Sequence, residues 1–155
     1  MKVVKKYMKK KVVHFRPEDS IFKVAKILSK HHISGAPVVK NRKVVGVISE
    51  SDIIKFMRFN VPEGENATHE PHILTLLIIS MVKDSIVFKK EIERISKILV
   101  KDLMSKDVIS INPDENIIEA ATMMEKFDVE RLPVIKAGRL MGIIARSDLI
   151  RALIE

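Results

Sequence analysis

The chain contains no cysteine. That excludes disulfides and thiolate zinc sites. It has no tryptophan and one tyrosine, and aromatic residues make up only 5% of its 155 residues. A base-stacking platform for single-stranded nucleic acid has little to be built from. Long apolar runs are also missing. The longest block, residues 73–82, is interrupted by Thr75 and Ser80 and is too short to cross a bilayer. The basic opening MKVVKKYMKKKVV has neither an apolar core nor a small-residue cleavage site. No signal peptide is read, so a cytoplasmic protein with no membrane partner is expected. No nucleophile–base pair, metal-ligand cluster or phosphate loop is visible, so neither catalysis nor a metal site is expected. His31 and His32 fall at a helix end, where a cation suits the helix dipole. His69 and His72 lie in or beside a polar loop without further ligands.

What is present is a core-forming, basic composition: 46% hydrophobic, 31% charged and a net charge of +8. The length suits one domain or two small intertwined halves. The positive balance admits polyanions such as nucleic acid or a nucleotide phosphate as partners. A lysine-rich surface that serves solubility alone explains it equally simply.

The strongest signal is a duplication. The stretch Val44-Val45-Gly46-Val47-Ile48-Ser49-Glu50-Ser51-Asp52 runs from a β-branched block into a helix start, and Leu140 to Asp148 repeats its layout. Gly142 follows Gly46 by 96 residues, as Asp148 follows Asp52, and Ala145 stands where the first copy has Ser49. Val12 to Phe15 reads as a strand closed by Pro17, and Asp19 or Ser20 caps a helix whose apolar face is Ile21, Val24, Ala25 and Leu28. That helix ends near His31-His32. Ser34 to Pro37 reads as a turn, Pro37 to Val39 as a strand, Asn41-Arg42 as a hairpin turn, Lys43 to Ile48 as a strand and residues 50–59 as a helix. The second unit matches without a gap: Val108-Ile109-Ser110, Pro113, the face Ile117, Ala120, Ala121 and Met124, then Leu132 to Ile135. Between the units, Asn60 to Pro71 reads as an exposed loop and residues 84–99 as a helix. Val100 to Met104 repeats the lead-in found at Lys5 to Met8.

The Lys-Asp-Leu-Met-Ser lead-in, the small-apolar-Pro-Val-Val strand and the Gly-apolar-apolar-Ser/Thr-x-x-Asp stretch, in that order and twice over, resemble the CBS domain, named after cystathionine β-synthase. The resemblance implies an α/β fold of two pseudo-symmetric β-α-β-β-α units packed through their small sheets, with a helical insertion. The units fall at 1–60 and 101–155, joined by a connector at 61–100. It further implies a stand-alone regulatory CBS pair that binds adenosine-containing ligands in clefts between the units and signals by changing shape. AMP, ADP, ATP with magnesium, S-adenosylmethionine and methylthioadenosine are all admitted, and no catalytic cofactor is. A homodimer is implied too, covering apolar residues at Ile53 to Met57 and Leu149 to Ile154, with an unknown regulated protein as partner.

The chemistry fits the residue types. A carboxylate at a helix start can accept from both ribose hydroxyls, and a nearby hydroxyl adds a contact. The main cleft is therefore expected at Ser49 and Asp52, with Val13, Ile33 and Pro37 walling the base and His14, Arg16 and Ala36 also lining it. By family analogy Arg131 reaches it from the opposite unit. A second, weaker cleft is expected at Asp148, with Ile109, Ser110, Val129, Leu132, Pro133 and Arg146. It lacks the hydroxyl, having Ala145 instead, and faces Gly35 where the first cleft is offered Arg131. The same residues have plainer readings: Ser49 and Asp52 as a helix cap, Arg131, Arg146 and Arg16 as surface or ion-paired arginines, Met123 and Met124 as core filler. The alternatives to ligand sensing are a basic nucleic-acid-binding protein and a structural dimerisation module with empty clefts.

Overall fold

The offset of 96 governs the architecture. A computed structural model of the chain describes residues 1–59 and 86–155. The loop expected at residues 60–71 and the apolar block at 73–82 lie outside the described residues. The elements run α1 (Val4–Tyr7), α2 (Ile21–His31), β1 (Gly35–Lys40), β2 (Lys43–Ser49), α3 (Glu50–Phe59), α4 (Ile86–Ser96), α5 (Val100–Leu103), α6 (Ile117–Lys126), β3 (Arg131–Lys136), β4 (Arg139–Ala145) and α7 (Arg146–Ile154). It is an α/β fold in which β1 pairs antiparallel with β2, and β3 with β4. Both hairpins carry the same irregularity, between Val38 and Val39 and between Val134 and Ile135.

Local chemistry explains the boundaries. The Ser20 hydroxyl caps α2 by accepting from the Lys23 N–H at 3.2 Å, and the Asn116 carbonyl oxygen caps α6 by accepting from the Glu119 N–H at 2.8 Å. Asp19, the other candidate cap, instead accepts from the Arg16 N–H and pairs with Lys23. Partial burial pushes its carboxyl up, but the Arg16 N–H and Lys23 together hold it below the usual value. After α2, His32 turns the chain through the left-handed region (φ 51°), and Asp128 does the same after α6 (φ 51°). Both hairpin turns have two positive-φ residues, Asn41-Arg42 and Ala137-Gly138. That backbone matches the right-handed twist of the flanking strands.

The strands expected at Val12 to Phe15 and Val108 to Ser110 are not ladders. Phe15 alone bridges to Val38, and Ile111, one residue past the expected second strand, bridges to Val134. The reason is topological. Lys9 exchanges both backbone hydrogen bonds with Ile143 in β4, at 2.8 and 2.9 Å, before the chain reaches Phe15 beside β1. Ser105 does the same with Val47 in β2, at 2.9 Å each way, before the chain reaches Ile111 beside β3. Residues 10–14 and 106–110 are the crossings between units, so β-branched residues there span a gap instead of pairing.

The lead-ins are thereby exchanged. Val4 is fully buried in the core of Ile111, Ile117, Met124, Leu132 and Ile144, which is the second unit. Val100 is fully buried among Phe15, Ile21, Leu28, Val38 and Ile48, which is the first. Gly46 and Gly142 mark where the crossing chain passes. A Cβ on Gly46 would stand 2.6 Å from the Ser105 carbonyl oxygen, and one on Gly142 would stand 2.7 Å from that of Lys9. Asp114 anchors the first lead-in further, pairing with Lys136 and Lys5 at 2.8 Å each. Those two ammonium groups, Lys136 first, hold its carboxyl at about 2. The two hairpins also meet directly: the Val44 N–H donates to the Gly138 carbonyl at 2.9 Å, and the Lys43 ammonium to that of Ala137.

Val4→Ala is expected to destabilise the chain by about 2 kcal/mol in urea unfolding, from two lost methyl groups and the cavity left behind. Amide exchange should quicken first in α6 and β3, remote in sequence, whereas Val100→Ala should quicken α2 and β1. The reverse pattern would contradict the exchange.

Candidate functional site

Each unit has a strand–helix junction where an aspartate turns back on the last strand residue. At the first, β2 ends in Ser49 and α3 begins at Glu50. The Glu50 N–H donates to the Ser34 carbonyl at 2.8 Å, which staples the helix start to the residue before β1. Asp52, half-buried, turns back on the junction. Its Oδ2 accepts from the Ser49 N–H at 2.9 Å and from the Ser49 hydroxyl at 3.0 Å, while that hydroxyl accepts from the Asp52 N–H at 3.3 Å. This is a reciprocal capping box. Asp52 Oδ1 accepts no hydrogen bond among the described residues. The cap and an open carboxylate oxygen are thus compatible in one side chain.

Gly35, directly opposite Ser49 in the hairpin, makes room for this arrangement. A Cβ there would lie 2.9 Å from the Ile48 carbonyl oxygen and 3.3 Å from the Ser49 Cβ. In the second hairpin the corresponding pair is Arg131 opposite Ala145. One junction therefore combines a glycine with a hydroxyl, and the other a long cation with a methyl.

The second junction keeps the backbone plan. The Arg146 N–H donates to the Glu130 carbonyl at 3.0 Å, and the Ala145 N–H to Asp148 Oδ2 at 2.9 Å. The rest differs. Ala145 has no oxygen to complete the box. Asp148 is 2% exposed, and its Oδ1 accepts from Arg151 Nη2 at 3.2 Å. The same Nη2 donates to the Tyr7 carbonyl at 3.3 Å, so the first lead-in takes part. Arg151 and Tyr7 were not among the expected site residues. Aligning the copies at offset 96 sets Arg151 against Lys55 and Tyr7 against Leu103, a difference that could have drawn attention to them.

The other expected residues divide by burial. Val13 and Ile33 are half-buried against the first core, and Ile109 and Val129 against the second. Ala36, Pro37, Leu132 and Pro133 are buried, so they offer a cleft mainly backbone. His14 is exposed, with Nδ1 3.0 Å from the Val12 carbonyl oxygen, and Ser110 is half-buried. Arg16 is exposed. Arg146 is exposed and loosely paired with Asp128 at 3.9 Å. Arg131 begins β3 within its own unit, and its buried Nε has no hydrogen-bond partner. Among the described residues, no hydrogen bond or ion pair joins it to Ser49 or Asp52. No cluster of three or more His, Asp or Glu side chains among the described residues is placed to hold a metal ion. None of the described helices is long and apolar enough to cross a membrane.

The CBS domain family model matches residues 4–58 and 100–155. An uncharacterized protein of Methanocaldococcus jannaschii is 38% identical over 154 residues, covering 98% of this chain and 91% of that protein. Inosine-5′-monophosphate dehydrogenase of Korarchaeum cryptofilum is 28% identical over 138 residues, which is 88% of this chain but only 21% of the dehydrogenase. Among solved structures, a CBS domain pair in complex with 5′-methylthioadenosine and S-adenosyl-L-methionine has a TM-score of 0.67 at 24% identity, covering 99% of this chain and 96% of that one. CBSX2, a CBS-pair protein of Arabidopsis thaliana solved in complex with AMP, has a TM-score of 0.68 at 23% identity, covering 99% and 97%. At these identities both are likenesses of fold.

Ser49→Ala is expected to cost about 1 kcal/mol of unfolding free energy by removing the cap oxygen of α3. Ala145→Ser should gain less than this, because the residue opposite it in the hairpin is Arg131, where the first junction has a glycine. Urea denaturation of both variants checks the pair; equal and opposite changes would show that the opposing residue is immaterial.

Proposed function

The chain belongs to the CBS domain family, and we propose that it is a regulatory module sensing an adenosine-containing ligand at the Ser49–Asp52 junction. The observation that carries the reading is the unengaged Oδ1 of a half-buried Asp52 held rigid by its own cap. Such a carboxylate is positioned to accept a ribose hydroxyl without first losing a partner. Charge-assisted bonds of this kind are worth about 1.5–3 kcal/mol each. AMP in one CBS-pair structure, and S-adenosyl-L-methionine with 5′-methylthioadenosine in the other, support the class, within which ADP and ATP also fall. Val13 and Ile33 would wall the base, with backbone of Ala36 and Pro37 reading its edge. A phosphate is assigned to Arg131, whose Nε is unused, with magnesium accompanying ATP.

Signalling follows from the position of α3. Asp52 and Ile54 are two residues apart on the same helix. Ile54 is 51% exposed and, with Ala25, lines a groove between α2 and α3. The counterpart between α6 and α7 is lined by Ile118, Ala121, Ile150 and Leu153, with Ile118 and Leu153 about three-quarters exposed. A second copy of the chain laid across these grooves would cover them and sense any tilt of α3 on ligand binding. Not all of α7 is free for this: Leu149 and Ala152 already serve the core of their own unit.

Calorimetry with AMP, ATP, S-adenosylmethionine and methylthioadenosine tests the ligand reading. Asp52→Ala is expected to weaken the ligand that binds best by one to two orders of magnitude, about what one lost charge-assisted bond allows. Unchanged affinity, or no binding of any of the four, would overturn the reading. The dimer is checked by sedimentation: the chain should be dimeric at micromolar concentration, and Ile118→Glu with Leu153→Glu should render it monomeric. A monomeric parent chain would contradict it.

A further inference from the structure

The two junctions share one backbone plan, so each is a control for the other. At the first, the carboxylate is half-buried and Oδ1 is open. At the second, it is 2% exposed, and both oxygens are engaged: Oδ2 by the Ala145 N–H at 2.9 Å and Oδ1 by Arg151 Nη2 at 3.2 Å. We propose that Arg151 holds the second junction shut against ribose, so that the chain binds one adenosyl ligand per pair of units and Arg151 determines which cleft it enters. The inference rests on the ligand reading given above and deepens it.

Three features make Arg151 the determinant. First, its guanidinium is fixed at two points, since Nη2 also donates to the Tyr7 carbonyl at 3.3 Å. A planar guanidinium with several donors can hold a carboxylate and a carbonyl at once. Second, the first unit has Lys55 in the corresponding place. Lys55 is exposed, and among the described residues it has no hydrogen bond or ion pair to Asp52. Third, Asp148 is covered: its side chain is 2% exposed, and the half-exposed Arg151 guanidinium lies across the oxygen that ribose would have to reach. Ribose hydroxyls approaching Asp148 would have to break a charge-assisted bond and uncover a buried carboxylate, and they gain back only bonds of similar strength. The missing hydroxyl at Ala145 weakens the second cleft as well, but it leaves Oδ1 of Asp148 untouched. Arg151 is thus a specificity-determining residue that acts through Asp148, and its removal should reveal a site that the duplication still encodes.

The experiment titrates the full chain with AMP and, separately, with 5′-methylthioadenosine, reading stoichiometry by calorimetry. The parent chain is expected to bind one molecule. Arg151→Lys, which copies the first unit, and Arg151→Met should bind two, with the second removed by Asp148→Ala and strengthened by Ala145→Ser. Arg151→Met leaves Asp148 buried without its cation, so its fold is checked by cooperative thermal unfolding. The reciprocal variant lies on an exposed helix position and avoids that hazard. Lys55→Arg should weaken the Asp52 cleft about tenfold, the loss of roughly one charge-assisted hydrogen bond. Folded Arg151 variants that still bind one molecule, together with Lys55→Arg at parental affinity, would overturn the inference while leaving the ligand reading intact. A parent chain that already binds two, one of them lost in Asp148→Ala, would overturn it as well. No binding by the parent or any variant would overturn the ligand reading and this inference together.

Discussion

Val4 packs in the core of the second unit and Val100 in that of the first, each with no exposed surface. Everything else in the fold is arranged around this exchange. A unit deprived of the other's lead-in would lose a buried valine and the residue, Lys9 or Ser105, that exchanges hydrogen bonds with β4 or β2. Gly46 and Gly142 exist in the motif because the partner's lead-in crosses their strands within van der Waals distance. The two hairpins consequently lie against one another, joined from Val44 to Gly138. A displacement in one unit therefore reaches the other through packed atoms. That is the physical condition a ligand sensor of this size must meet, since coupling needs a packed connection between the parts it links.

The junctions show how a duplicated plan acquires unequal chemistry. Backbone bonds at Glu50 and Arg146 are equivalent, at 2.8 and 3.0 Å. The side chains then diverge in a correlated way. Glycine at 35 accompanies a hydroxyl at 49, whereas arginine at 131 accompanies alanine at 145. Lysine at 55 leaves its aspartate open, whereas arginine at 151 closes on its own. The same capping carboxylate stabilises a helix in both units, and in one of them it keeps an oxygen for a partner. Capping leaves one carboxylate oxygen open at Asp52 and none at Asp148.

Much of this was legible in the residues. The offset of 96, the hairpins about Asn41-Arg42 and Ala137-Gly138, and the buried positions Ile21, Val24 and Leu28 of α2 and Ile117, Ala120 and Met124 of α6 follow from local pattern, whereas Ala25 and Ala121, expected on the same faces, are exposed. The pairing of Ser49 with Asp52 followed from its spacing. The exchange did not, because Val-x-x-Tyr-Met reads the same whichever core receives it. Val12 to Phe15 and Val108 to Ser110, which fall largely in the crossings, were expected as strands because β-branched residues fit an extended backbone whether or not it is paired. The engagement of Asp148 Oδ1 depends on Arg151, which is held in turn by the Tyr7 carbonyl, groups 3 and 141 residues away in the chain. Only the first of these lies within reach of a sequence motif.

The central claim is that the Ser49–Asp52 junction is the open one. The most direct measurement is an amide-resolved NMR titration of the chain with AMP. Early, saturable shifts are expected at the amides of Ser34, Ser49, Glu50 and Asp52, with Ala145, Arg146 and Asp148 unmoved until ligand is in large excess. Shifts that begin at Ala145 to Asp148, or that rise together at both junctions, would contradict the account.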